Sequence, residues 1–265
     1  MSFTSDRVIH YRESINEFMK KLFRSTAAVL FLGLIPAVAQ LNPLGTRNDV
    51  TFLSSLLTKV YGENQEFSAD AEIQGVIGTN LVVIPIKVSF DGGKTRLEGS
   101  LSEMRGLDLP PGTAKQLKAR HLDDLIIITR PDLRVDYVVY PGPNSYAQTA
   151  DETATNTSFR IKKKNIGKAT FDGHDCIKSM LTFTDPDGMK REGTTWNALD
   201  LKNFPLKIES SQEGVEVTIF FRNISFKKPA TTLFEVPTGC TKYDNVETMM
   251  RTETMKHIFD TPSSP

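Results

Sequence analysis

Apolar residues recur along this chain in two rhythms. Val50, Leu53, Leu57 and Val60 fall three or four apart, which places them on one side of a helix. Asp49 stands where an N-cap belongs and Gly62 where the helix should stop. From Phe67 the period changes to two. Phe67, Ala69, Ala71 and Ile73 alternate with Ser68, Asp70, Glu72 and Gln74, as in a strand with one buried face. Ile84, Ile86, Val88 and Phe90 repeat the pattern. Pro85 within that run predicts an edge position or a bulge. Asp91-Gly92-Gly93 then turns the chain into Lys94–Leu101, so the two segments read as a hairpin.

The β rhythm breaks over residues 102–124, where Pro110-Pro111-Gly112 and Thr113–His121 predict a loop and a short helix. Strands resume at Leu125–Arg130, Leu133–Tyr140 and Ser145–Gln148, and residues 149–157 read as a polar loop. Beyond it the spacing predicts strands at Phe159–Lys164, Lys168–Phe171, Cys176–Thr184, Lys190–Ala198, Pro205–Ser210, Val215–Ile224 and Leu233–Val236. Asp172-Gly173, Asp185-Pro186-Asp187-Gly188 and Glu213-Gly214 are the turns between them. Asp244 then caps a closing helix bearing Val246, Met249 and Met250. About ten strands with such short connections predict a mainly β, α+β fold. Its expected form is an unclosed antiparallel β-barrel, or strongly curved sheet, with helices packed in the concave face. Leu81–Ile84, Leu125–Ile128 and Ile219–Phe221 do not alternate at all, which predicts strands covered on both faces.

The first residues change where this domain is expected to work. Lys20, Lys21 and Arg24 precede the apolar run Ala27–Ile35, and Ala37-Val38-Ala39 follows Pro36. That is the order of a secretory signal peptide, and the run is too short to span a bilayer as a helix. Residues 1–39 are therefore read as an upstream extension plus signal, with the true start at Met19 and cleavage after Ala39. Residues 40–265 form a single domain with an insertion at 102–124, in the periplasm or outside the cell. No Cys follows the cleavage point, so no lipid anchor is expected.

Composition removes several classes of function. The chain has 32 Lys+Arg and 32 Asp+Glu. Residues 1–39 hold five basic and three acidic residues, which leaves the mature part at −2. There is no overall basic excess to attract nucleic acid. Cys176 and Cys240 are a candidate disulfide in an oxidising compartment, closing a loop of about 64 residues for roughly 4 kcal/mol, or else two buried thiols. No catalytic constellation emerges. His121, His174 and His257 lack metal-ligand spacing, and no G-x-S-x-G, P-loop or G-x-G-x-x-G occurs. His174 and Cys176 share a strand face, but a turn histidine beside a structural cysteine explains them. Asp185 and Asp187 belong to a turn and lack the further oxygen ligands that calcium needs. No enzyme activity, cofactor or metal is expected.

Several motifs, in order, carry a resemblance. The helix Asp49–Tyr61 followed by Phe67-Ser68-Ala69-Asp70 resembles the start of the periplasmic lipoprotein-carrier (LolA-like) superfamily. Ile128-Thr129-Arg130-Pro131-Asp132-Leu133 is similar to its R-P-x-L/F segment, and Phe234 through Gly239 to its closing F-x-x-P-x-G. Trp196, Leu206-Lys207-Ile208, Asn223-Ile224 and Phe234–Tyr243 look closer still to a secreted bacterial domain of unknown function, the DUF4412 type. The matches span most of residues 49–250. The insertion at 102–124 has no counterpart there, and Cys240 stands where the closer group more often has an aromatic residue. The resemblance implies a half-barrel whose apolar cavity receives lipid chains, and for Arg130 a role in holding a lid.

These readings predict a non-enzymatic carrier or binding protein for a lipid, a lipoprotein or another apolar ligand. The inward members of the alternating strands would line its mouth: Phe67, Ala69, Ile73, Ile86, Val88, Leu97, Ile126, Ile128, Val135, Tyr137 and Trp196. One slip of register would reverse any strand. The rival expectation is a structural or protein-interaction module of the cell envelope, with a filled core and no ligand. A monomer is expected in either case.

Overall fold

A computed structural model of the protein describes residues 60–61, 63–77, 80–106, 112–119, 121–150, 160–184, 190–212 and 215–259. The expected signal segment, the leader at 40–48, the Asp49 cap, Pro110-Pro111, the loop at 151–157 and the turns at 185–188 and 213–214 lie outside the described residues.

Two meanders lie side by side in one sheet. The first runs through β1 (Glu66–Ile77), β2 (Asn80–Asp91), β3 (Lys94–Ser100), β4 (Asp124–Arg130), β5 (Val135–Tyr140) and β6 (Ser145–Ala150). The second runs through β7 (Arg160–Phe171), β8 (His174–Thr184), β9 (Lys190–Ala198), β10 (Phe204–Gln212) and β11 (Val215–Ser225). Antiparallel pairing of β1 with β11 joins them. A short β12 (Thr241–Tyr243) adds to β6 in parallel. The order is β12-β6-β5-β4-β3-β2-β1-β11-β10-β9-β8-β7, so β12 and β7 are open edges and the sheet does not close. Among the described residues, α1 (Thr113–Ala119) and α2 (Val246–Phe259) accompany it, with Val60 and Tyr61, also helical, before β1. Neither is long and apolar enough to cross a membrane.

The fold is mainly β with an unclosed sheet, as the alternation predicts, with twelve strands rather than ten. Three local readings need correction. Phe159–Lys164 and Lys168–Phe171 are one strand, β7, bent by a register shift between Asn165 and Gly167. Leu233–Val236 is not a strand: Thr231–Phe234 is a 3-10 turn, because this segment crosses over the sheet instead of joining it. Asn245 caps α2, its Oδ1 accepting the Thr248 N–H at 2.8 Å, where Asp244 was expected to do so.

Pro85 lies in a central strand, paired with Glu72 without a shift. The Val83 N–H points away from β1, to the Arg105 carbonyl at 2.9 Å. Two residues on, the Pro85 nitrogen faces the same way. The β2–β3 ladder begins only at Ile86, opposite Gly99. The proline therefore sits in the gap between that bridge and the ladder, where no donor is missed.

The register defines an inner face. Phe67, Ala69, Ala71 and Ile73 on β1 share it with Val82, Ile84, Ile86, Val88 and Phe90 on β2. Met249 of α2 and Leu117 of α1 pack on this face, as does Tyr61 at the end of the first helical segment. The insertion is locked in place beside it. Leu122 is fully buried, and Gly142 lies so close to His121 that a Cβ would stand 2.0 Å from its carbonyl oxygen.

Candidate functional site

The inner face has two filled ends. At one, Tyr61, Phe67, Phe90, Phe204 and Phe221 form an aromatic cluster. Tyr61 stacks on Phe204 with centroids 5.6 Å apart, and Phe67 meets Phe204 edge-on at 4.9 Å. At the other, Val82, Ile84, Leu125, Ile127, Val138, Tyr140 and Val217 close over Met249. Between them Leu97, Ile86, Ile219 and Ile208 are only half-buried. The register sets them on a diagonal from β3 to β10: Leu97 pairs with Val88, Ile86 with Ala71, and Ile219 with Ile73 and Ile208. Ala69 and Ala71 of β1 add no bulk at the middle of this strip. Five strands span four gaps of about 4.8 Å, so the strip reaches roughly 19 Å across the sheet.

Six of the expected lining residues face this way: Phe67, Ala69, Ile73, Ile86, Val88 and Leu97. Of these, Phe67, Ala69 and Val88 are buried in the aromatic core and Ile73 in the other, leaving Ile86 and Leu97 on the strip. The face expected for Ile126, Ile128, Val135, Tyr137 and Trp196 is corrected. Ile126 and Ile128 pair with Val139 and Tyr137 on the opposite, outer face. Trp196 pairs with Lys178 and Lys207 there, and both ammonium groups lie over its ring, at 4.6 and 4.5 Å. Such pairs are favourable by about 0.5–1 kcal/mol or more. Ile208 and Ile219 complete the strip and were missed as lining residues; Ile208 sits at an inward position of a period-two run, whereas Ile219 lies in an apolar run that does not alternate.

Arg130 acts on the outer face too. The chain leaving β11 crosses this face as a strap before reaching β12. Lys228 Nζ first bonds Glu66 at 2.6 Å and Asp91 at 3.2 Å. Arg96 on β3 then donates to the Leu233 carbonyl at 3.0 Å, and Arg130 on β4 to the Phe234 carbonyl at 3.2 Å and to Glu235. These are the last carbonyls of the 3-10 turn, which lack partners of their own. Asp132 accepts two further bonds from Arg130, at 2.9 and 2.8 Å. The pairing holds the Asp132 carboxyl below its usual range, chiefly through those bonds. Phe234 is thereby pressed into Ile126, Ile128 and Val139. This strap is the second cover that the unbroken apolar run Leu125–Ile128 requires.

Glu253 anchors α2. It is 3% exposed and accepts from Ser145 Oγ and the Tyr243 hydroxyl, each at 2.6 Å, and from Lys256 Nζ at 3.0 Å. Burial pushes its carboxyl up, but the three donors outweigh burial and leave it below the usual value.

The two cysteines are free, which corrects the candidate disulfide. Cys176 is buried beside Trp196 and Ala198, whereas Cys240 packs under the strap against Ile126, Ile128, Val139 and Phe234. They belong to different cores. Burial raises both thiols, the opposite of a reactive cysteine. His174 bonds Asp200 through Nδ1 at 2.7 Å near the surface. Among the described residues no three His, Cys, Asp or Glu side chains gather to hold a metal. A groove of about 460 Å³ opens beside Pro85, lined by Asp70, Lys87, Glu98, Glu103 and Asp124 together with the apolar Ala71, Ile86, Leu125 and Ile126.

No family model matches the chain, and no curated protein does. Solved structures similar to it include LprF from Mycobacterium bovis, with 11% identity over 71% of this chain and 97% of that one at a TM-score of 0.37. Lipoprotein LppX from Mycobacterium tuberculosis is similar at 10% identity, over 71% and 96%, with a TM-score of 0.35. The LolA superfamily protein NE2245 from Nitrosomonas europaea is similar at 7% identity, over 69% and 96%, with a TM-score of 0.32. In each case the likeness takes in most of this chain and nearly all of the other.

Proposed function

We propose that this protein binds a lipid or lipoprotein acyl chain, or a comparable apolar ligand, on the inner face of its sheet, in the periplasm or outside the cell. The observation that carries the reading is the half-buried strip Leu97, Ile86, Ile219 and Ile208 between two filled cores. A folded domain has no packing reason to leave four large aliphatic side chains half-covered at the centre of its helix-lined face. An acyl chain of about 14 methylenes has a gross transfer energy of roughly 11 kcal/mol, against association costs of about 4 kcal/mol or more. A shallow strip is therefore enough. The buried aromatic cluster, with Phe67 fully enclosed, favours the second reading, an envelope interaction module whose inner face is packed shut.

Native mass spectrometry before and after organic extraction separates the two. A lipid mass released from the protein supports binding. A bare protein mass, together with no uptake of an apolar fluorescent probe, would give the module reading the lead.

A further inference from the structure

The two open edges of the sheet are built differently. β12 is three residues long. β7 is twelve residues long and pairs only with β8 among the described residues. It presents about 40 Å of ladder, in which the N–H and C=O groups of every second residue pair with no described strand. Its composition is one-sided. Arg160, Lys162, Lys163, Lys164 and Lys168 are all exposed, and the strand holds no acidic residue. The balanced net charge of the chain hides this row.

Lysines on an edge keep copies of a chain from pairing with one another. Two β7 strands set antiparallel would place cation opposite cation, which is destabilising. The same row is complementary to an extended segment of opposite charge. The shift between Asn165 and Gly167 divides the ladder, and four of the five cations lie in its first half, Arg160–Asn165. There the register puts Arg160, Lys162 and Lys164 on the outer face. Ile161 faces inward beside Phe183, half-buried against the Leu181–Phe183 cluster. A strand added to this edge would meet three cations on the outer face, and Ile161 followed by Lys163 on the inner one.

We propose that Arg160–Asn165 of β7 is a docking edge for an extended acidic peptide segment of a partner protein, one that alternates acidic and apolar residues. The partner adds as a further strand. Backbone hydrogen bonds supply its affinity, and the cation row selects its sequence. This goes beyond the inner-face reading and stands whether or not the strip holds a lipid.

The test uses the full chain and a fluorescein-labelled octapeptide alternating glutamate and valine. Saturable binding is expected by anisotropy, with slowed amide exchange confined to residues 160–165. A peptide with proline at alternate positions cannot donate to the ladder and should bind about tenfold more weakly. The double variant Lys162→Glu, Lys164→Glu should lose about tenfold or more, with an unchanged circular-dichroism melt. Should that variant fail to fold, Lys162→Ala, Lys164→Ala gives the same readout with no charge reversal. Equal binding of the proline peptide, no protection on β7, or tighter binding to phosphatidylglycerol vesicles than to the peptide would each overturn the proposal.

Discussion

Arg130 ties three elements together on the outer face. It is 8% exposed and joins β4, the turn at Asp132 and the strap at Phe234 and Glu235. Replacing it with Met keeps much of the buried stem but leaves the Phe234 carbonyl without its donor. An unsatisfied buried acceptor costs about 1–3 kcal/mol, so Arg130→Met should lower the unfolding free energy measured by urea titration by that amount. Limited proteolysis should then cut first between residues 226 and 240. Arg130→Lys should restore little, because a point ammonium cannot serve Asp132 and the strap together as the guanidinium fork does. Phe234→Ala empties the pocket that the strap fills, and a buried Phe→Ala change costs about 3–5 kcal/mol. Both cysteines, by contrast, are expected to be silent. The mass should not change on reduction, and two thiols should react with a maleimide once the chain is unfolded.

At the scale of elements, α2 is held by Met249 in the inner-face core and by one buried carboxylate, Glu253. Glu253 has a folded-state value below its unfolded one. Its contribution is therefore present above the unfolded value and disappears as the pH falls through the folded one. Acid titration through and below about pH 4 should release α2 from β6 and β12 before the meanders unfold. Tyr243 fluorescence and exchange of the α2 amides would follow this release. Glu253→Gln should remove most of the acid dependence, and an unchanged acid transition in that variant would mean that other carboxylates control it. The strands themselves were legible wherever one face is wet. β1, with Phe67, Ala69, Ala71 and Ile73 buried in alternation, and the Asp91-Gly92-Gly93 hairpin read directly from period two and turn residues. The phase of β4 did not. Leu125–Arg130 is buried throughout, so period two gives no preference between its faces, and Ile126 and Ile128 were assigned inward. β5 misled for a related reason: Asp136 is buried on the inner face and Tyr137 is half-covered on the outer one, an inversion of polar-out alternation. The strap also resembled a strand in composition, and only its arginine partners, remote in sequence, reveal that it crosses the sheet.

For the whole molecule the question is whether the space between two packed cores is a site or slack. A large side chain placed on the strip decides it without touching the chemistry of either core. Leu97 is half-buried on a central strand, so Leu97→Trp has open space to grow into, unlike a substitution at Phe67 or Val88. Overpacking a filled interior costs about 1–3 kcal/mol, and a shift of 1 kcal/mol moves Tm by roughly 2–4 °C for a chain of this size. If the strip holds a ligand, Leu97→Trp should leave Tm almost unchanged while abolishing probe uptake and the co-purifying lipid mass. Ile219→Trp, on β11 of the same strip, should behave alike. The packed-shut alternative predicts the reverse, a fall of several degrees in Tm with no ligand to lose. The two readings part on both measurements, because a void that admits a lipid also admits an indole, and a filled core admits neither.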